Sequence, residues 1–437
     1  MAVSHLDSVK IFRHSAPYIN SHRGKTFVLM FGGEAVEHVN FANIIHDIAL
    51  LNSLGVRLVL VHGARPQIDQ RVALRNMPLR FHDDVRLTDK QTIECVKDAA
   101  GSVRSQVEAL LTMGLANSPM HGSQIRVCSG NLVVAMPIGV KDGIDFEHTG
   151  LVRRIDVDGI NDHLNDGSIV LLGPMGYSPT GEVFNLSHVD VATQAAVSLN
   201  ADKLIVFSEQ EGVISTEGKL LRNIEGRQLQ AMIDSPQYQS QRAILQAFSA
   251  SLQAGVRRCH CVSYQDDGAM LQELFTRDGA GSLISQNYYE QLRSATIEDV
   301  GGILKLIKPL EEKGILVKRS RELLENEIEQ FNVIERDGTI ISCAALYPYP
   351  DDKCAELACV ATHVDYRGAN RGERLMDAIC VRAREMGLEK IFVLTTVTGH
   401  WFREYGFMPA TVDELPDKKK QLYNYQRNSK VLMLTLN

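Results

Sequence analysis

Two short runs, Thr26–Phe31 and Val56–Val61, are apolar almost throughout, and each ends in a turn containing glycine. Consecutive rather than alternating apolar residues mean strands buried on both faces, so helices must cover the sheet from above and below. Between the runs, Phe41, Ile44, Ile45, Ile48 and Leu51 recur at helical spacing, and Gly55 ends the pattern. Strand, glycine turn, helix, strand is the unit of a parallel sheet, because parallel neighbours need a crossover that a tight turn cannot supply. The rhythm continues through Ser168–Leu172, a hairpin-like insertion around Pro174–Glu182 and a helix over His188–Leu199. It then passes a strand over Ala201–Phe207, a strand over Val256–Tyr264, a helix over Gly268–Phe275 and a glycine-rich turn, Arg277–Ser282. The expectation is an open, mostly parallel α/β sheet sandwiched by helices, with any ligand at the carboxyl ends of its strands. Ahead of it, Leu6, Val9 and Phe12 before Pro17 predict a short amphipathic helix.

The pattern changes after residue 286. Thr296 and Asp299 form a capping-box pair, and Ile303, Leu306 and Ile307 mark the helix that follows. A helical run over Arg321–Glu329 leads to strands over Phe331–Glu335 and Thr339–Tyr347, separated by the hairpin signal Asp337-Gly338. A smaller α+β domain is expected here. The domain plan is a helix over 1–20, a large domain over 21–286, a linker over 287–294 and a second domain over 295–437. A chain of 437 residues accommodates that plan.

A net charge of −7 argues against a nucleic-acid partner. No apolar stretch reaches the length of a membrane span, and the first residues lack the apolar core of a secretory signal, so a cytoplasmic location is expected. Of eight scattered cysteines, only Cys259 and Cys261 stand close together, flanking His260. Their strand alternation favours buried thiols over a metal site, and no metal is expected.

The chemistry concentrates in Cys354–Leu375. An apolar run with one carboxylate, Glu356, passes through a turn rich in Gly and Arg into a helix carrying Leu375, Ile379, Ala383 and Met386 on one face. Unpaired amides at a helix N-terminus suit a pyrophosphate, although an ordinary surface turn would look similar. The segment Arg367-Gly368-Ala369-Asn370-Arg371-Gly372 resembles the acetyl-coenzyme A loop of GNAT acetyltransferases, with Asn370 where that pattern has its first Gly. Asn tolerates a left-handed backbone, so the loop can still close. Transfer to an amine needs a base, and Glu356 within an apolar strand is the candidate, its surroundings expected to raise the carboxyl pKa. The alternative is a side chain alternating outward into solvent. His400–Phe407 resembles the late motif of the same family. Phe402 occupies the place where many members carry a Tyr that protonates the leaving thiolate. Thr395 or Thr396 would then support departure by hydrogen bonding, and Tyr405 is expected to point elsewhere.

Gly32-Gly33, the His62–Pro66 turn, Asn185–Ala196 with Asp190, Ala201-Asp-Lys-Leu and the Arg277–Ser282 turn resemble the amino acid kinase family, acetylglutamate kinase in particular. Those kinases place a Lys two residues before Gly-Gly, where this chain has Met30, and a run of Gly where it has Ala64-Arg65. A thioether cannot stabilise a phosphoryl group in transfer. A silent kinase domain followed by a GNAT domain is similar to the bacterial N-acetylglutamate synthase family. The resemblance implies acetyl-coenzyme A as co-substrate, L-glutamate as acceptor and L-arginine as inhibitor. It puts glutamate against Arg319, Cys359, Arg427 and Ser429. The coenzyme falls against Val360, Thr362 and residues 367–372, and arginine against His14, Tyr18, Gly279, Gly281 and Ser282. It also implies a hexamer bridged by the N-terminal helix. Two rivals stand beside it: a kinase with an appended regulatory domain, and a sensor in which both domains only bind.

Overall fold

Thr26–Phe31 is buried at every position and lies near the middle of an eight-stranded sheet, between Arg57–His62 and Lys203–Ser208 and parallel to both. The sheet runs in the order Asn223–Glu225, Ser282–Ser285, Arg258–Ser263, Lys203–Ser208, Thr26–Phe31, Arg57–His62, Ile169–Leu172, Val127–Cys128. Every neighbouring pair is parallel except Arg258–Ser263 with Ser282–Ser285. Alternate residues serve opposite faces. Val28, Met30, Val59 and Val61 join one core with Val191 and Phe248, while Phe27, Leu29 and Phe31 join another with Ile44, Ile45 and Val96. The computed structural model describes residues 5–112, 124–276, 278–286, 290–336, 338–367, 371–396, 399–424 and 429–436.

The chain divides into two units, Met1–Asn287 and Tyr288–Asn437. In the first, the helix expected within residues 1–20 runs from His5 to His22 and continues through Pro17. Its end is tied down where His22 Nε2 meets the carbonyl of Leu274 at 2.9 Å, in the helix Ala269–Phe275. The insertion is a four-stranded sheet in the order Val183–Asn185, Met175–Tyr177, Val133–Pro137, Gly150–Ile155, larger than the hairpin expected.

The second unit holds a seven-stranded sheet in the order Glu290–Ser294, Phe331–Arg336, Thr339–Tyr349, Cys354–Thr362, Lys390–Thr395, Lys430–Thr435, Met408–Ala410. Residues 287–294 were expected to be a linker, yet Glu290–Ser294 pairs throughout with Asn332–Arg336. Burial of Glu290 and packing of Leu292 against the core make this segment part of the sheet. The Thr296–Asp299 capping box forms as expected, and the helix Val300–Glu312 follows. That helix packs on one face of the sheet and Arg371–Glu385 on the other. The helix expected over 321–329 stops at Asn326 and gives way to a short 3-10 turn, Ile328–Gln330. Among the described residues, no helix is long and apolar enough to cross a membrane.

Candidate active site

Strand Cys354–Thr362 pairs antiparallel with Thr339–Tyr349 on one side and parallel with Lys390–Thr395 on the other. Two irregularities shape it. Ala345 pairs with Ala358 and Cys343 with Ala361, so the strand carries one extra residue there, a β-bulge. Cys359 takes it up with a left-handed φ of 54°. On the other side, pairing ends at Leu357 with Val393. Beyond that point the two strands part, and residues 358–362, Leu394 and Thr395 line a cleft of about 540 Å³.

The bulge also changes which way side chains face. Ala355 and Leu357 pack with the core under helix Arg371–Glu385, whereas Cys359 and Ala361 pack with the core under Val300–Glu312. Glu356, directly opposite Tyr347, therefore shares its face with Cys359. Arg319 reaches the same group, with a hydrogen bond to Tyr347 and its charge beside Cys359. The hydroxyl of Tyr347 donates to Glu327 at 2.7 Å. A hydrogen bond from Cys343, aided by Arg319 and opposed by burial, holds the Cys359 thiol below its usual range. Glu356 is not turned out to solvent: its side chain is 12% exposed and ion-pairs with Lys419 at 2.6 Å. The apolar surroundings expected for Glu356 thus include a cation, one that sequence reasoning missed. Its only signal is the run Lys418-Lys419-Lys420, which reads as an ordinary solvated face.

Thr395 is buried and lines the cleft, but it shares the face of Val393, which packs under helix Arg371–Glu385. It therefore stands on the side of the sheet opposite to Glu356. Phe402, buried, lines the cleft as well. Tyr405 is directed away, its hydroxyl donating to Asp377. Ser429 is half-buried, and its carbonyl accepts from Tyr423 at 2.6 Å. Arg427 lies outside the described residues.

Five of the expected coenzyme residues fall on the wall of this cleft. Val360, Thr362, Arg367, Arg371 and Gly372 all line it. The hydroxyl of Thr362 is 2.8 Å from that of Ser342, and Arg367 is exposed. A Cβ on Gly372 would stand 2.8 Å from the Trp401 ring, so the helix N-terminus packs against that ring only because glycine is there. Gly368, Ala369 and Asn370 lie outside the described residues. A strand edge without a partner among the described residues, beside a helix N-terminus, fits a long thioester donor. The edge can bond its amide-rich arm and the helix end its phosphates.

In the first unit, the two sequence segments expected to hold an effector meet the same helix, Ala269–Phe275. The N-terminal helix reaches it through His22. Glu273 of that helix holds the glycine turn, one oxygen accepting from the amides of Ala280 and Gly281 at 2.9 Å each. Its other oxygen meets His260 Nδ1 at 2.7 Å, and His260 Nε2 lies 3.1 Å from the Lys203 ammonium. Burial and Lys203 push His260 down to about 4, so it is neutral near pH 7, accepting from Lys203 and donating to Glu273. Burial would raise Glu273, but His260 and the two amides outweigh it and hold it down at about 2. Gly279 is left-handed at φ 63°, and a Cβ on Gly281 would stand 2.0 Å from the carbonyl of Cys261. Ser282 is fully buried and accepts from the amide of Val213 at 2.9 Å. Tyr18 is half-buried, within 6.5 Å of the His22 ring, and His14 is exposed.

Met30 is 3% exposed within the apolar core, and among the described residues a cleft of about 390 Å³ beside Glu209, Glu211 and Asp266 has no Lys or Arg in its wall.

The amino acid kinase family model matches residues 25–263, and the acetyltransferase (GNAT) family model matches residues 302–407. An amino-acid acetyltransferase of Ectopseudomonas mendocina is 56% identical over 425 residues, which is 97% of this chain and 98% of that protein. Among solved structures, N-acetylglutamate synthase from Neisseria gonorrhoeae complexed with coenzyme A and L-arginine is similar, with a TM-score of 0.89 and 36% identity. The match covers 98% of this chain and 99% of that one. The same enzyme complexed with coenzyme A and N-acetyl-glutamate has a TM-score of 0.62 and 37% identity, with the same coverage of both chains.

Proposed function

The chain belongs to the amino-acid acetyltransferase family, and from that premise we propose that it moves the acetyl group of acetyl-coenzyme A to the amine of L-glutamate. The observation that carries this reading is the cleft: a bulged strand parts from its neighbour beside a helix N-terminus, with a carboxylate and an arginine on the adjoining face. An α-amine arrives as an ammonium, and Glu356 removes its proton, directly or through water. Arg319 supplies a planar cation for a substrate carboxylate, and Tyr347 holds that cation in place. Arg427 and Ser429 complete the acceptor site in this reading. The amides around Val360 and Thr362 and the end of helix Arg371–Glu385 take the coenzyme. Thr395, on the other face, serves the departing thiolate by hydrogen bonding.

The first unit, in this reading, binds L-arginine between the N-terminal helix and the turn at Gly279–Ser282, and restrains the transfer from there. Lys203, His260 and Glu273 form the polar floor of that region. The reaction opens arginine biosynthesis, the copies assemble as a hexamer through helix His5–His22, and the protein works in the cytoplasm. Eight unpaired cysteines suit a reducing compartment.

Thiol release from acetyl-coenzyme A, run over a panel of amino acids with and without arginine, tests the proposal. Release is expected with glutamate well above the other amino acids, and arginine is expected to suppress it. Absence of glutamate-dependent release overturns the reading.

A further inference from the structure

Glu290 opens the first strand of the second unit, and its side chain is 9% exposed. Guanidinium groups of three arginines surround it. Arg371 makes a fork, with Nε at 2.9 and 3.0 Å from the two carboxylate oxygens and Nη2 at 2.6 Å. Arg374 donates through Nη1 at 3.2 Å, and Arg336 Nη1 stands 3.7 Å away. The remaining terminal nitrogen of Arg371 donates to the carbonyl of Tyr366 at 2.8 Å, and the guanidinium lies over the Tyr366 ring, 5.3 Å from its centre. Arg371 is thus fixed on every side, although it is the first residue of its helix and lines the cleft.

That placement is costly for Arg371 alone. The positive end of a helix dipole opposes a cation in the first turn, and burial opposes it again. A carboxylate delivered from a different strand offsets both, and a forked pair fixes direction as well as distance. Glu290 lies 81 residues before Arg371, so the contact is tertiary rather than a cap within the helix.

We propose that Glu290 is the positioning residue for the phosphates of the donor: it sets the Arg371 guanidinium, and with it the helix end, in the arrangement that receives a pyrophosphate. The inference rests on acetyl-coenzyme A being the donor. Glu290 itself touches no reacting atom. Its removal frees Arg371 to leave the rim, and the loss falls on the phosphate-bearing part of the donor.

The test is steady-state kinetics on the full chain and on Glu290→Gln, with acetyl-coenzyme A and with S-acetylpantetheine, a donor that has the same thioester and no phosphate. The expected result is a KM for acetyl-coenzyme A raised about tenfold or more, the usual effect of losing a charged hydrogen bond. The KM for glutamate and kcat are expected within about twofold of the unaltered chain, since neither depends on this contact. Kinetics with S-acetylpantetheine should not change, which also reports an intact fold. Arg371→Gln should reproduce the rise, and the double variant should add nothing to it. An unchanged or lowered KM for acetyl-coenzyme A overturns the proposal. So does an equal loss with both donors, which marks Glu290 as a general support, or additive losses in the double variant. Failure of the unaltered chain to release thiol from acetyl-coenzyme A refutes the donor reading instead, and takes this proposal with it.

Discussion

Glu356 is the one carboxylate in its apolar strand, and it occupies a largely buried place opposite Tyr347. In the proposed reading, replacing it with Gln removes the proton acceptor while keeping the side chain's shape. Turnover is expected to fall by about a hundredfold or more, with acetyl-coenzyme A binding little changed by calorimetry. Full activity in that variant removes Glu356 from the mechanism. Lys419 was not legible, because a lysine triplet says nothing about which of its members turns inward. Met30 was legible as a missing cation, but its depth was not: it sits 3% exposed among Val28, Val59 and Val61. Met30→Leu should leave acetyl transfer and stability near their original values. Met30→Ala should leave transfer intact in the cold yet cost about 2–5 kcal/mol in denaturant unfolding, the usual penalty of a core cavity.

At the scale of elements, apolar runs and glycine turns made the parallel sheet readable, since buried strands and crossover helices leave strong local patterns. The bulge left none. Cys359 looks like any strand residue, and only pairing with Thr339–Tyr349 reveals an extra residue with φ 54°. For the same reason Glu290–Ser294 reads as a linker: an edge strand of Glu, Gln, Leu, Arg and Ser lacks the apolar continuity of a central one. A β-branched side chain is poorly suited to a left-handed backbone. Cys359→Val should therefore destabilise the second unit and lower kcat/KM for acetyl-coenzyme A, whereas Cys359→Gly should keep the bulge. Thermal unfolding of the two variants beside their kinetics checks this, and equal behaviour would argue that the bulge does not need its backbone conformation.

Across the whole molecule, four histidines of the first unit, His22, His62, His188 and His260, are pushed down to about 4, chiefly by burial. Each is neutral when folded, while the unfolded chain takes up protons near 6.5. Their contribution is therefore complete above about pH 6.5 and is lost as pH falls toward 4. The unfolding temperature of the first unit should drop steeply over that window by calorimetry. A flat profile would mean that these rings are hydrated in the folded protein. Two-unit organisation was legible from the change of pattern after residue 286. The Lys203–His260–Glu273 chain was not, since its members lie up to 70 residues apart and meet only when two neighbouring strands and a helix are assembled.

Met30, two residues before Gly32-Gly33, limits what that position can hold. Among these aliphatic neighbours a lysine would strand its ammonium away from water, and the fold would resist it. Met30→Lys should therefore destabilise the first unit rather than create a phosphate site, because its neighbours would have to part before the ammonium could be accommodated.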